Sequence, residues 1–208
     1  MLKINIIDKV LIFKQGDIIA VLHCKNNDYL TLIYKIVLEA LKGKFPTLIL
    51  DCSYSFREKV LQNLCKQFRI DFESLKSYLR KVPIREEKQF LDILHQIYHK
   101  ELTYDFKILI LLHISFLLEK FYKKLKEREQ TIKDAYSVIP LLKSPDRTVL
   151  IVEKMLEGFY PTECIAREEI ERIADQKIYF LPYKTINING AKITYQQIYS
   201  HSKQRRIL

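Results

Sequence analysis

The segment from residue 18 to residue 51 reads IIAVLHCKNNDYLTLIYKIVLEALKGKFPTLILD and decides the fold class of this protein. Its first part, Ile18 to Leu22, is a short continuous apolar run, which is typical of a buried strand. Apolar residues at helical spacing follow, and this pattern ends at Gly43. After Pro46, Thr47 to Asp51 forms a second strand-like run. The segment therefore predicts a strand, a loop, a helix and a second strand.

The same alternation continues along the chain. Helices are predicted over 56–68, 71–79, 86–100 and 115–143, and strands over 81–84, 106–112 and 148–152. From Lys177 onward, Tyr, Ile and Thr alternate until Asn189-Gly190, which is a hairpin signal. Apolar runs separated by helices are typical of parallel strands covered on both faces. We therefore expect an α/β fold with a doubly wound, mainly parallel sheet flanked by helices, and a C-terminal antiparallel hairpin.

Composition limits the domain organisation and the partners. The chain has 208 residues, 48% of them hydrophobic and 29% charged, with no internal repeat or low-complexity linker. This length suits one α/β core, so we predict a single domain over 1–208, with a basic tail at 200–208. The net charge of +10 attracts polyanions, and nucleic acid is the first partner to consider.

The cysteines and the apolar runs indicate a compartment. Four cysteines are widely spaced without a CxxC pair, which favours neither a zinc site nor a disulfide framework. No secretory signal is evident at the N-terminus, and the strongest apolar run, 108–112, is too short to cross a bilayer. We expect a cytoplasmic protein, or a nuclear one in a eukaryote, without membrane contact.

One block of the chain carries a resemblance to a known family. Thr47-Leu48-Ile49-Leu50-Asp51-Cys52-Ser53-Tyr54-Ser55-Phe56-Arg57 resembles the second-strand region of archaeal RadA and its paralogues, where a strand ends in Asp-Thr-Glu-Gly-Thr-Phe-Arg. Asp51, Phe56 and Arg57 match that pattern, whereas the family's catalytic glutamate falls on Ser53. The similar layout extends from about Gly16 to Gly190. The resemblance implies a RecA-like core of the RecA/RadA recombinase superfamily.

The residues that this family uses to hydrolyse ATP are missing. Where a Walker A loop, Gly-x-x-x-x-Gly-Lys-Ser/Thr, is expected, the chain has no glycine, and Tyr29-Leu30 take the lysine and hydroxyl positions. The Walker B aspartate falls on Leu112, and the neighbouring His113 is interpreted as structural. The degenerate nucleotide site is expected to comprise Lys25, Asn26, Asn27, Asp28, Tyr29, Leu30, Ser53 and Leu112. Although Lys25 could touch a phosphate, a lone loop lysine is typical of a solvated side chain.

The resemblance implies a RadA paralogue with degenerate Walker motifs, which is not an enzyme and takes no cofactor. Such a protein would assist homologous recombination or DNA repair by binding DNA and a recombinase or another paralogue, as a hetero- or homo-oligomer. The alternative is a structural adaptor subunit of an active ATPase complex that does not bind DNA directly. The basic surface would then serve solubility or an acidic partner.

Two basic segments are the nucleic-acid candidates. In recombinases, DNA is contacted by loops that follow the Walker B strand and the next strand. The candidate contacts here are Lys120, Lys123, Lys124, Lys126, Arg128, Lys203, Arg205 and Arg206. Phe121 and Tyr122 could stack on single-stranded bases, or turn to the core with the lysines on a solvated helix face.

Metal and nucleophile patterns are weak in this sequence. His95 and His99 are four residues apart on a predicted helix, but no HExxH motif and no third ligand accompany them, so no metal is expected. No Gly-x-Ser-x-Gly elbow is present. The function is therefore expected on the basic surfaces and in protein contacts.

Overall fold

The computed structural model of the chain describes residues 2–6, 9–24, 28–121, 125–155, 161–181 and 185–194. Its strands are β1 (Leu2–Ile6), β2 (Lys9–Phe13), β3 (Ile18–His23), β4 (Thr47–Asp51), β5 (Leu79–Pro83), β6 (Ile108–Leu112), β7 (Thr148–Lys154), β8 (Gln176–Leu181), β9 (Thr185–Ile188) and β10 (Ala191–Thr194). Its α-helices are α1 (Asp28–Lys42), α2 (Glu58–Gln67), α3 (Phe72–Leu75), α4 (Glu87–Tyr98), α5 (Ile114–Phe121), α6 (Leu125–Val138) and α7 (Pro161–Ile173). Two 3₁₀ turns, Lys76–Tyr78 and Ile139–Leu142, follow α3 and α6.

Eight of these strands form one sheet in the order β10-β9-β8-β3-β7-β6-β4-β5. The six strands from β8 to β5 pair in parallel, whereas β9 is antiparallel to β8 and β10 is antiparallel to β9. Asn189 and Gly190 lie between β9 and β10, where the hairpin was predicted. The expectation of a mainly parallel sheet with a C-terminal antiparallel hairpin is confirmed. Pro83 lies on the edge strand β5, where its missing N–H costs no ladder bond.

Helices cover both faces of the sheet, because both faces of its central strands are apolar. Ile19 of β3 belongs to one buried cluster with Ile33 of α1. Ala20, the next residue, points to the opposite face and belongs to a second cluster with Leu94 of α4 and Ile170 of α7. Burying one such aliphatic side chain contributes about 1.5–3 kcal/mol. This explains why the strands read as continuous apolar runs without alternation.

The end of α1 differs by one residue from the expectation. The helix ends at Lys42, and the left-handed residue that reverses the chain is Lys44, with φ 53°, instead of Gly43. Phe45 N–H then donates to Ala40 O at 2.9 Å, which satisfies a carbonyl of the last turn. Gly43 is still required, because a Cβ there would lie 2.5 Å from the Phe45 ring.

A two-stranded antiparallel sheet, β1 and β2, lies outside the main sheet and was not predicted. β1 contacts α1, and Phe13 at the end of β2 is buried in the cluster that contains α1. A hairpin of this size is marginal by itself, so its formation depends on tertiary packing. None of the helices in the described ranges is long and apolar enough to cross a membrane.

The connections of the sheet reverse direction between β3 and β7. From β3 the chain passes through α1 to β4, which lies on the same side of β3 as β7. From β7 it passes through α7 to β8, which lies on the opposite side of β3. In open parallel α/β sheets, ligands bind outside the carboxyl ends of the strands at such a reversal. The side chains at the carboxyl ends of β3, β4, β6 and β7 are therefore the place to look for a site.

Candidate functional site

Polar side chains are concentrated at the carboxyl ends of four neighbouring strands. His23 ends β3, Asp51 ends β4, His113 follows β6, and Glu153 is the penultimate residue of β7. All four are buried, although the surrounding core is almost wholly apolar. Since burying an unpaired polar group costs free energy, each should have partners.

A chain of hydrogen bonds links three of these strand ends. His23 Nδ1 lies 2.7 Å from the carbonyl oxygen of Cys24, and His23 Nε2 lies 2.8 Å from His113 Nε2. On the far side of the second ring, His113 Nδ1 lies 2.6 Å from the hydroxyl of Ser53. The chain thus runs from β3 through the β6–α5 turn to the segment after β4.

The carbonyl at one end fixes the direction of every bond in this chain. A carbonyl oxygen can only accept, so His23 Nδ1 carries the proton and, in the neutral ring, His23 Nε2 is an acceptor. His113 Nε2 must then be the donor, which leaves His113 Nδ1 as the acceptor. Ser53 therefore donates its hydroxyl proton to His113. This assignment follows from the network, as tautomers generally must.

Both imidazoles are neutral at physiological pH. Burial is the main cause that lowers the pKa of His23 to about 3; the hydrogen bond to Cys24 opposes this shift, and the nearby His113 and Lys154 add to it. Burial, with a smaller effect of Lys154, lowers the pKa of His113 to about 4. A neutral pair matches the directional hydrogen bonds, since a protonated ring would have no acceptor nitrogen.

Tyr29 covers the histidine pair from the first turn of α1. Its ring stacks on that of His23, with centroids 3.5 Å apart and planes 11° apart, and it meets His113 edge-on at 5.4 Å. Tyr29 is buried, and this burial raises the pKa of its hydroxyl to about 12. The aromatic ring therefore occupies the region where the resemblance expected the lysine of a phosphate-binding loop.

Two residues of the site have a left-handed backbone. His113 has φ 56° and Tyr54, beside Ser53, has φ 57°. Such conformations cost of order 1 kcal/mol or more in residues other than glycine, and they cluster at functional sites. His113 N–H donates to Val152 O at 2.8 Å, which ties the strained turn to β7.

Asp51 organises the segment that carries Ser53. Its carboxylate accepts from the backbone N–H groups of Ser55 at 3.2 Å and Phe56 at 3.1 Å. Lys81 of the edge strand lies 3.1 Å from the same carboxylate and also donates to Phe56 O. The aspartate of the resembling motif thus shapes the turn after β4.

Glu153 forms a second buried polar group beside the histidines. Its carboxylate accepts from Ser115 N–H at 3.1 Å, from the Ser115 hydroxyl at 2.5 Å and from the Tyr136 hydroxyl at 2.7 Å. Because Ser115 lies in the first turn of α5, the carboxylate sits at the positive end of that helix. Burial nevertheless raises the pKa of Glu153 to about 7, against these hydrogen bonds.

The structure brings together two of the predicted nucleotide-site residues. Tyr29 contacts His23, and Ser53 contacts His113, so both belong to the same network. Leu30 is half-buried against the core and Leu112 is fully buried in β6, so neither adds a polar group. Asp28 begins α1, while Lys25, Asn26 and Asn27 lie outside the described residues.

Sequence reasoning missed the role of the two histidines. His113 was interpreted as a lone structural residue, yet it lies between His23 and Ser53. One signal was available: His23 and His113 each end or directly follow a buried parallel strand, and such ends meet at one edge of the sheet. Tyr136 gave no such signal, because it lies within a helix.

The predicted nucleic-acid contacts lie partly on described helices. Lys120 belongs to α5, and Lys126 and Arg128 belong to α6, where Lys126 is exposed. The other candidates, Lys123, Lys124, Lys203, Arg205 and Arg206, lie outside the described residues, as does the tail 200–208. The helices α5 and α6 directly follow β6.

The His95 and His99 pair lies at the exposed end of α4. The ring centroids are 4.1 Å apart, and both side chains face solvent. Among the residues that the structure describes, no group of three or more His, Cys, Asp or Glu side chains could hold a metal ion. The pair has no third protein ligand in that part of the chain.

No known family model matches the chain, and no curated protein matches its sequence. The function must therefore be argued from the site and the surface.

Proposed function

We propose that this chain is a RecA/RadA paralogue that does not hydrolyse ATP and that assists recombination or repair by binding DNA and a recombinase or paralogue partner. The observation that carries the proposal is the stack of Tyr29 on His23, directly after the strand that would precede a phosphate-binding loop. A buried aromatic pair there takes the place of the glycines and lysine that a triphosphate requires.

The arrangement of the sheet supports the same proposal. The expected Walker A strand β3 and the expected Walker B strand β6 both end at the histidine pair, and β7 lies between the two strands. Ser53 and Leu112 hold the places of the catalytic glutamate and the magnesium-binding aspartate. The polar groups that do meet there, the two histidines and Ser53, already bond to one another.

Nucleotide chemistry is tested by titrating the protein with a fluorescent ATP analogue and magnesium. We expect no saturable binding up to about 1 mM, the upper end of ordinary enzyme KM values. Magnesium-dependent ATPase activity that disappears in Lys25→Ala would refute this part of the proposal.

DNA binding is proposed for the helices that follow β6. The support is the net charge of +10 and the exposed Lys126 on α6, which is near the start of that helix. Lysines bind phosphate through charge, and binding releases counterions from the strand. With roughly four phosphate contacts, affinity for single-stranded DNA should fall about fiftyfold between 50 and 200 mM salt.

Reversing the charge of one lysine tests whether α6 forms part of the proposed DNA-binding surface. Lys126→Glu should weaken single-stranded DNA binding several-fold in fluorescence anisotropy and reduce its salt dependence. Lys66→Glu is the matched control, since Lys66 is an exposed helical lysine on α2, and α2 packs on the other face of the sheet. Equal effects of the two reversals would indicate a general charge effect. No measurable affinity for single-stranded DNA at low salt would contradict the proposal that the protein binds DNA.

An adaptor subunit is the second candidate, because apolar side chains are exposed on two elements that pack together. Tyr98 of α4 and Leu141 of the 3₁₀ turn after α6 are each more than half exposed. Tyrosine is among the residues enriched at the energetic centres of protein interfaces. Purification from cells with and without nuclease separates the candidates, since an adaptor keeps one ATPase partner after DNA is digested.

A further inference from the structure

The contact between Ser53 and His113 has the geometry of a nucleophile and its base. The hydroxyl oxygen lies 2.6 Å from His113 Nδ1, and the base is held by a second bond of 2.8 Å to His23. We propose that Ser53 is the nucleophile of an acyl-transfer site whose substrates are carboxylic esters, with His113 as its base. This activity is separate from ATP hydrolysis and goes beyond the function proposed above.

The direction of the hydrogen bonds supports these roles. Because the Cys24 carbonyl sets the tautomer of His23, and His23 in turn sets that of His113, the free lone pair of His113 faces the Ser53 proton. A neutral imidazole that accepts from a serine hydroxyl is the ground state of a serine–histidine pair. His23 acts through His113 and is therefore a positioning residue.

The hydrogen bond between the two rings is kept when the base becomes charged, although burial, which lowers the pKa of His113, disfavours that charge. When His113 accepts the serine proton, its Nε2–H still donates to His23, so the charge is partly shared along the pair. The Tyr29 ring stacks on that of His23, with centroids 3.5 Å apart, and so helps to hold the positioning ring in place. Asp51 Oδ1 lies 3.4 Å from the Ser53 oxygen, so the carboxylate that holds the turn also contacts the hydroxyl.

The segment after β4 presents Ser53 at the edge of the sheet. Ser53 is half-buried, and the next residue, Tyr54, is left-handed and 46% exposed. Asp51 holds this turn through two backbone N–H bonds. A serine on a strained turn after a parallel strand, at the carboxyl edge of the sheet, has the placement that nucleophilic serines use in other α/β proteins.

The reaction balances without any further reactant except water. The Ser53 oxygen attacks the ester carbonyl carbon while its proton moves to His113 Nδ1. As the carbon–oxygen bond to the leaving alcohol breaks, that alcohol takes the proton from His113. Water then attacks the acyl-serine, gives a proton to His113 and releases the carboxylic acid, which restores the Ser53 hydroxyl.

A fluorophosphonate probe tests the nucleophile in a single turnover. The serine oxygen forms a bond to phosphorus, fluoride leaves, and the serine proton passes through His113, so the label marks reactive serines alone. We expect mass spectrometry of the intact full-length protein to find one label, at Ser53, and none in Ser53→Ala. Ser137→Ala, which changes an exposed serine on α6, is the control and should label like wild type.

Variants of the two histidines separate catalysis from structure. His113→Asn suits the left-handed backbone and should lower the labelling rate about 100-fold, the lower end of the range for a general base. His23→Leu should lower it, whereas His23→Gln, whose side-chain oxygen can accept from His113, should restore most of it. Circular dichroism on each variant checks the fold.

The pH profile reports on the protonation of His113. Since burial lowers the pKa of His113 to about 4, the base stays deprotonated and the labelling rate should be nearly the same at pH 5.5 and pH 8. A histidine with the ordinary pKa of about 6.5 would lose about tenfold between these values. A tenfold loss that disappears in His113→Asn would still support His113 as the base. No labelling of wild type, labelling that persists in Ser53→Ala, or undiminished labelling of folded His113→Asn would each overturn the proposal. Each of these results would leave the DNA-binding proposal intact.

Discussion

Acid should weaken the fold through the His23 and His113 pair. The pKa values of about 3 and about 4 in the folded state lie below the value near 6.5 expected for an unfolded histidine. The unfolded state therefore binds more protons below pH 6.5. The pair stabilises the fold fully above that pH, and the contribution is lost as pH falls toward the folded pKa values.

The size of this effect follows from the same shifts. Between pH 7 and pH 5.5, each unfolded histidine gains most of a proton while the buried ones gain almost none, which costs about 1.2 kcal/mol per residue. The two together should lower the free energy of unfolding by about 2.5 kcal/mol. Both rings are 6% exposed or less, so solvent screens little of this difference.

Urea denaturation at the two pH values measures the effect. The control is the double variant His23→Gln, His113→Asn. It has no titrating group at either position, and all the carboxylates of the wild type are unchanged. The free energy of unfolding of wild type should fall by about 2.5 kcal/mol more than that of the variant. A difference below about 0.5 kcal/mol would refute the reasoning, because the histidines would then titrate normally in the folded state.

Three further changes test other parts of the structure. The pKa of Glu153, raised to about 7, means that the folded state holds a proton that the unfolded state has already lost. Wild type should therefore lose stability as pH rises from 5 to 8, and Glu153→Gln should not show this loss. Urea curves of both proteins at pH 5 and pH 8 check this, and parallel changes would contradict it. Tyr29→Ala should cost about 3–5 kcal/mol through the cavity beside His23, whereas Tyr98→Ala, at an exposed position, should cost less than about 1 kcal/mol. A thermal melt compares them, and equal costs would mean that the Tyr29 stack adds nothing. Gly43→Ala should cost about 1–3 kcal/mol, since the Phe45 ring must move, and Lys35→Ala on the exposed face of α1 is its control. A Gly43→Ala protein as stable as its control would show that the ring moves freely.

The local sequence was enough to predict most of the strands and helices of the main sheet. Apolar runs such as Ile18 to Leu22 and Thr47 to Asp51 indicated buried strands because burial on both faces leaves no polar alternation. Helical spacing over residues 30–41 indicated α1, and Asn189-Gly190 indicated the last hairpin. These signals depend on one element and its nearest turn, so a sequence is enough to read them.

The order of the strands and the β1–β2 hairpin were decided by tertiary packing. Strand order depends on which helix crosses which face, and the hairpin depends on its contact with α1. The resemblance to the RadA family predicted that Tyr29, Ser53 and Leu112 stand where that family has functional residues. It did not show what fills their place, because His23 and His113 are 90 residues apart along the chain.

The site therefore depends on which strand ends are neighbours at the edge of the sheet, and no short sequence motif contains it. The sequence alone determined that His23, Ser53 and His113 each come at or just after the end of an apolar strand. Only the tertiary structure decided that these ends are neighbours, that Tyr29 covers them, and that a backbone carbonyl sets the direction of their hydrogen bonds. The physical reason is that parallel strands far apart in sequence bring their carboxyl ends to one edge, where short polar side chains can meet.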